Sequence, residues 1–178
     1  MLIISKANKI TKVRVFLLLL IFALFPRCHL FSQVIDSQFY GWQVYEITDE
    51  ENPEFKKCYI VNHPIHSDSD HNSRLNPYLM ITRYQKDRIE EVSIYGGYEF
   101  KLGSEIFVLI DDLQFRMKTN EDFAWAKTHY EDVRIIESML NGGVLRVRSD
   151  SSIGRYAIDE YSLKGIARAY LRMKEICA

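Results

Sequence analysis

Hydrophobic and polar positions along this chain fall into three regimes. Val15–Phe25 is an unbroken apolar run of 11 residues, preceded by Lys6, Lys9, Lys12 and Arg14 and closed by Pro26 and Arg27. From Phe39 onward, short blocks repeat at a period of two, as half-buried strands do. Two later stretches switch to the three-and-four spacing of an amphipathic helix.

The period-two blocks predict about nine strands. They are 39–47, 57–61, 78–83, 89–95, 106–110, 113–117, 122–126, 144–148 and 155–161. Turn residues separate them: 48–53, Gln85 to Asp87, Gly96-Gly97 and 150–154. Asp111-Asp112 between two strands predicts a tight hairpin. The segment Asn62 to Pro77 has two prolines, three histidines and no core pattern, and reads as a loop. A helix is predicted from His129 to Leu140, with Tyr130, Val133, Ile136, Met139 and Leu140 on its apolar face and Asn141-Gly142-Gly143 as its stop. A second runs from Leu163 to Ile176, capped by Ser162, its face made by Ile166, Ala167, Tyr170, Leu171 and Met173. Strands follow one another through short turns, without crossover helices between them. That predicts a mainly β protein, an antiparallel sandwich with two accessory helices.

The N-terminal regime has the layout of a secretory signal: a cationic stretch, an apolar stretch, then the small residue Ser32. Eleven helical residues reach about 17 Å, short of a hydrocarbon core about 30 Å thick, and Pro26-Arg27 prevents extension. Residues 1–32 are therefore expected to be a cleaved signal peptide and 33–178 a single domain with no stable membrane span. Periplasmic, secreted or cell-surface localisation follows.

Charge changes the picture once the leader is set aside. The chain has 23 Lys+Arg and 24 Asp+Glu, and five of the cations precede Gln33. The remainder carries 18 cations against 24 acids, a net of −6. Without clustered cations it is a poor nucleic-acid binder, and it has no polybasic patch for anionic lipid.

Of the three cysteines, Cys28 leaves with the signal. Cys58 and Cys177 remain. In an exported domain they most simply form one disulfide; two free buried thiols are the other reading. Metal chemistry has one candidate set, His63, His66, His71, Asp68 and Asp70. Imidazole and carboxylate suit zinc or another first-row ion, but all five fall in one flexible segment with no closed-site spacing. A solvated loop with no metal is the expectation. An EF-hand reading of the stretch starting at Asp68 fails, because Ser73 stands where glycine is needed and Leu79 where glutamate is needed.

Catalytic constellations are missing from the sequence. Cys58 with His63 gives no nucleophile if the thiol is oxidised. Neighbours on a strand face opposite ways, so Glu90-Glu91 and Asp111-Asp112 are not carboxylate dyads. Ser151 to Gly154 lacks the strand–turn–helix of a hydrolase elbow. The glycine pairs lack a phosphate-loop lysine. No cofactor is expected. Trp42, Trp125 and the tyrosines read as core-filling aromatics of a sandwich, with a binding face as the other possibility.

One ordered set of segments has a family likeness. It comprises Trp42 to Val44, Cys58-Tyr59, Tyr78 to Arg83, Glu91 to Ile94 with Gly97-Tyr98, Lys101 to Glu105, Asp122 to Ala126, Gly142, Ser149 to Gly154, Tyr161 to Gly165 and Cys177. In order and spacing these resemble the invasion-associated locus B family of exported bacterial proteins, over nearly all of Phe39 to Cys177. The resemblance implies an immunoglobulin-like β-sandwich, export to the periplasm or surface, and no catalytic residues or cofactor to carry over. Many members have a further cysteine soon after the tryptophan strand; here Tyr45 and Glu46 follow Val44. That makes Cys58 with Cys177 the only bond the mature chain can form. The function implied is an exported, non-enzymatic envelope or surface protein linked to host-cell invasion, with an unidentified protein partner in the envelope or on a host cell. The alternative is a periplasmic binding or chaperone-like module serving other envelope proteins.

Overall fold

Tyr40 and Gly41 turn the chain between two long strands, β1 (Phe31–Phe39) and β2 (Trp42–Asp49). Tyr40 adopts a left-handed φ of 56° there. A Cβ on Gly41 would lie 2.6 Å from Asn62 Oδ1, so a larger residue would displace the buried Asn62 amide. The single strand expected over 39–47 is thus the end of one strand and most of another. The register shift between Ile35 and Ser37 breaks the alternation of β1 and hides it from a period-two reading. The computed structural model describes residues 31–49 and 56–178. The expected signal, 1–32, lies outside the described residues apart from Phe31 and Ser32, which open β1.

The chain continues through β3 (Lys57–Asn62), β4 (His66–Ser69), β5 (Tyr78–Tyr84), β6 (Glu90–Tyr95), β7 (Glu105–Ile110), β8 (Leu113–Asn120) and β9 (Phe123–Trp125). Helix α1 (His129–Asn141), strands β10 (Val144–Asp150) and β11 (Tyr156–Ser162) and helix α2 (Ile166–Ile176) complete it. The mainly β, antiparallel reading with two helices holds. Eleven strands stand where about nine were expected, because β1 was missed and β4 forms inside the predicted 62–77 loop. Strand β4 has no hydrophobic pattern of its own; it exists because it adds to the edge of β11, in register His66 opposite Glu160 and Ser69 opposite Ala157.

The strands hydrogen-bond in one continuous sheet, ordered β1-β2-β3-β5-β6-β9-β8-β7-β10-β11-β4. Two separate sheets, as a sandwich implies, are not what forms: the three-residue β9 pairs with both β6 and β8 and joins the halves. The sheet is nevertheless rolled. Strand β3 and edge strand β4 would lie about 38 Å apart across a flat sheet, yet only His63, Pro64 and Ile65 connect them, a reach of about 14 Å. Side chains confirm the closure. Trp42 Nε1 and Asn62 Nδ2, from β2 and β3, both donate to the carbonyl of Ser162 at the end of β11 (3.2 and 3.0 Å).

Inside the roll lies one apolar cluster built from alternate strand residues, among them Trp42, Ile60, Ile81, Ile94, Val108 and Leu145. Helix α1 packs on β6, and α2 on β1, β2 and β3. Both helices form where expected, but their buried faces differ. Helix α1 buries Asp132, Ile135, Ile136 and Met139, while Tyr130 and Val133 are 71% and 38% exposed. Its start is fixed by Thr128, whose hydroxyl accepts from Glu131 N. Helix α2 buries Ile166, Ala169 and Met173 and leaves Leu171 exposed. It begins three residues later than predicted. Ser162 ends β11 with its carbonyl accepting from Trp42 and Asn62, its Oγ accepts from Lys164 N in a turn, and Leu163 N donates to Gly143 O, so the chain turns here before the helix begins. Gly165, at φ 94°, makes the entry instead.

Candidate binding groove

The register of β2, β3, β5, β6 and β9 sends one set of alternate residues into the core and the other set outward. The outward set lines a groove of about 550 Å³ on the sheet surface, within the range of small-molecule sites. Cross-strand pairing orders it into rows. Gln43, Val61, Met80, Ser93 and Trp125 form one row across five strands. Tyr45, Tyr59, Thr82 and Glu91 form the row on one side. Tyr78, Tyr95 and Phe123 form the row on the other. Adjacent rows are two residues apart, so the flanking rows stand about 13 Å apart, and the central row runs for about 19 Å. The geometry is a trough with aromatic walls.

Ring contacts fix the walls. Tyr45 and Tyr59 stack at 4.8 Å with an interplanar angle of 8°. Tyr78 stacks on Tyr95 at 4.9 Å, and Phe123 meets both Tyr95 (5.1 Å) and Trp125 (5.5 Å). Such pairs are worth about 0.5–1.5 kcal/mol each beyond their burial and hold the rings in place.

Polar groups lie among the rings. Tyr45 donates its phenol to Gln43 Oε1 at 3.0 Å. Trp125 donates to the Glu91 carboxylate. Burial, and after it the nearby Asp132 charge, pushes the Glu91 carboxyl above its ordinary value, against that hydrogen bond. Burial also raises the phenols of Tyr78 and Tyr84, which keeps them neutral donors. Ser93, between Met80 and Trp125, is only 2% exposed, and its Oγ has no hydrogen-bond partner. A buried hydroxyl of this kind is uncommon in a folded protein. With no base to take its proton, it is not arranged as a nucleophile. The lining carries one cation, Lys57, and one acid, Glu91, with His63 at one end.

The other residues singled out from sequence lie elsewhere. Cys58 and Cys177 are disulfide-bonded and fully buried, joining β3 to the end of α2 on the inner side of the sheet. Trp42 fills the core, whereas Trp125, expected there with it, faces the groove. The five metal candidates are dispersed. His66 and Asp68 project from β4, and Asp70 accepts from Tyr156 N and Arg155. His71 stacks on Tyr98, and His63 Nδ1 lies 2.9 Å from Pro77 O. Among the described residues no three His, Cys, Asp or Glu side chains gather as metal ligands would.

Sequence reasoning did not assemble the groove, although its signal is present. Tyr45, Tyr59, Tyr78, Tyr84 and Trp125 occupy positions of their strands that alternate with core residues. A strand apolar at core positions and aromatic between them has a second face to cover.

Fold and groove together define a mainly antiparallel β protein: one rolled sheet, two packed helices and an outward aromatic trough. No protein-family model and no curated protein matches the chain. A solved structure does. The crystal structure of invasion associated protein B from Bartonella henselae aligns over 80% of this chain and 97% of its own, with a TM-score of 0.55 and 8% sequence identity. The likeness is one of fold, and at that level the resemblance carried by the ordered sequence segments stands.

Proposed function

We propose that this chain is an exported, non-enzymatic binding protein of the bacterial envelope or cell surface, with a role linked to host-cell invasion. The observation that carries the reading is the fold shared with nearly the whole length of invasion associated protein B. Three features support it. The Cys58–Cys177 disulfide suits an oxidising compartment. Among the described residues no helix is long and apolar enough to cross a membrane. The groove offers a preformed surface for recognition and no nucleophile–base pair. Its one lysine does not make a phosphate-binding face, so the expected partner is a component of the envelope or of a host cell rather than nucleic acid.

The test is made in the bacterium that encodes the chain. Non-reducing intact-mass analysis is expected to find a product lacking 1–32 with its two cysteines linked. Protease applied to intact cells is expected to digest it. A deletion strain is expected to enter host cells less often, with entry restored by the full chain. Retention in the cytoplasm with 1–32 attached overturns the proposal. Confinement to the periplasm with normal entry replaces it with the envelope-chaperone reading.

A further inference from the structure

The trough holds a combination that its own packing does not use. A hydroxyl lies buried and unpartnered at Ser93, in line with Met80 on one side and Trp125 on the other. Beside it, Glu91 offers a partly exposed carboxylate, and Thr82 a buried hydroxyl. At the far end of the row stands the Gln43 amide, its oxygen occupied by Tyr45. Polar groups thus stand in the central row at Gln43 and at the Glu91 end of one flanking row, among the aromatic rings.

The ligand that matches must have two properties at once. It needs apolar faces that lie against rings, and it needs many small groups that both donate and accept. A nucleic acid is a poor match, since the lining has one cation opposed by one acid. A polyproline segment suits aromatic grooves, but it presents carbonyl acceptors only and brings the Glu91 carboxylate no further donor. Sugar rings have C–H faces for the aromatic rings and hydroxyls for the Glu91 carboxylate and the Gln43 amide. We infer that the outward trough between the Tyr45–Tyr59 pair and the Tyr78–Tyr95–Phe123 cluster binds a neutral oligosaccharide, with the Glu91 carboxylate and the Gln43 amide bonding its hydroxyls and Trp125 stacking on one ring. This deepens the binding role proposed above by naming a ligand class for the same surface.

Fluorescence gives a direct test, because the chain has two tryptophans and the other, Trp42, is sealed in the core. The full 178-residue chain is expressed, the product purified in oxidised form, and titrated with maltotriose, cellotriose and N,N′,N″-triacetylchitotriose up to 10 mM. Saturable emission change is expected with at least one of them. Trp125→Ala is read by calorimetry and is expected to weaken that binding at least 10-fold. Glu91→Gln is expected to weaken it about 3-fold or more, with unchanged circular dichroism. Leu102→Ala, on an exposed turn away from the trough, is expected to bind as the parent does. No saturation with any of the three sugars overturns the inference, as does binding that Trp125→Ala and Glu91→Gln leave intact. Saturable binding of a proline-rich decapeptide in place of the sugars also overturns it. These are measurements on purified protein, so their failure leaves the export and invasion reading to its own test.

Discussion

The carboxylate of Asp132, on α1, accepts a hydrogen bond from the backbone N–H of Val92, on β6, at 2.9 Å. The reason lies in the length of β9. That strand pairs with β6 only as far as Ser93, so the next N–H has no strand neighbour and a side chain supplies the acceptor. The helix is thereby pinned over the join between the halves of the sheet. Burial raises the Asp132 carboxyl above its ordinary value. The Val92 bond and His129 oppose that rise, while Glu131 adds to it; Glu91 faces Asp132 from β6.

A carboxyl raised in the folded state takes up protons on folding, so its contribution to stability falls as pH rises from the unfolded value to the folded one. Asp132→Asn keeps an acceptor for Val92 and removes the charge. We expect it to be more stable than the parent at pH 7, with the difference shrinking toward pH 4. Asp132→Ala orphans the buried N–H and is expected to lose about 1–3 kcal/mol. Urea denaturation of the three proteins across pH 4–7 measures both effects.

The segment between β4 and β5 is held by a buried ion pair. Arg74 donates from Nη1 to Asp159 Oδ1 at 2.7 Å and from Nη2 to the other carboxylate oxygen, while its Nε donates to Gly96 O. Asp159 is 1% exposed and also accepts from Ser67. Removing one member leaves the other charge buried and uncompensated. Arg74→Met is expected to lose about 3–5 kcal/mol, and Arg74→Met with Asp159→Leu to recover most of it. Chemical denaturation of both variants reads the difference; equal losses would show that the pair is not what holds the segment.

Two glycines separate backbone strain from steric contact. Gly97 and Gly103 have φ of 75° and 71°, conformations that a side chain disfavours in both places. A Cβ at Gly103 meets nothing within 4 Å, whereas one at Gly97 would lie 2.2 Å from Leu75 O. Leu75 N also donates to Gly97 O, so a shift there opens the segment that carries Arg74. Gly103→Ala is expected to lower stability by about 1–2 kcal/mol and Gly97→Ala by clearly more, with increased proteolysis between β4 and β5.

What the sequence revealed and what it hid divide along physical lines. Period-two patterning located β3, β5, β6 and β10 because each has one face in the core and an ordinary turn at its end. It missed β4, whose residues His66 to Ser69 owe their conformation to the neighbouring β11 edge. It also misassigned the inner face of α1, because a buried aspartate that caps a strand N–H looks like a solvent-facing residue in any hydrophobic pattern. The groove stayed hidden for a related reason. Its rows are built across strands far apart in sequence, from Gln43 to Trp125, and pairing order rather than spacing brings them together. The rolled sheet was equally out of reach, since it depends on β9 pairing on both sides.

The disulfide ties an interior strand of the sheet to the end of the last helix. Cys58 sits in β3 and Cys177 just past the end of α2, 119 residues away. Around the bond, Arg83 Nε donates to Cys177 O at 3.3 Å and Gln85 Nε2 to Ala178 O at 2.9 Å. Tyr170 and Arg83 both donate to Glu90. The helix is therefore bound to β5 and β6 by polar contacts that do not involve the sulfurs. For a loop of this length the chain-entropy ceiling is about 5 kcal/mol. Because these contacts and the buried face of α2 do not depend on the sulfurs, we expect Cys58→Ala with Cys177→Ala to fold with an unchanged circular dichroism spectrum and a lower denaturant midpoint. Dithiothreitol is expected to shift the parent by a similar amount and to leave the double variant unmoved. A double variant that matches the oxidised parent in denaturant midpoint would show that the polar contacts alone hold α2, and that the covalent tie adds nothing to the stability of the fold.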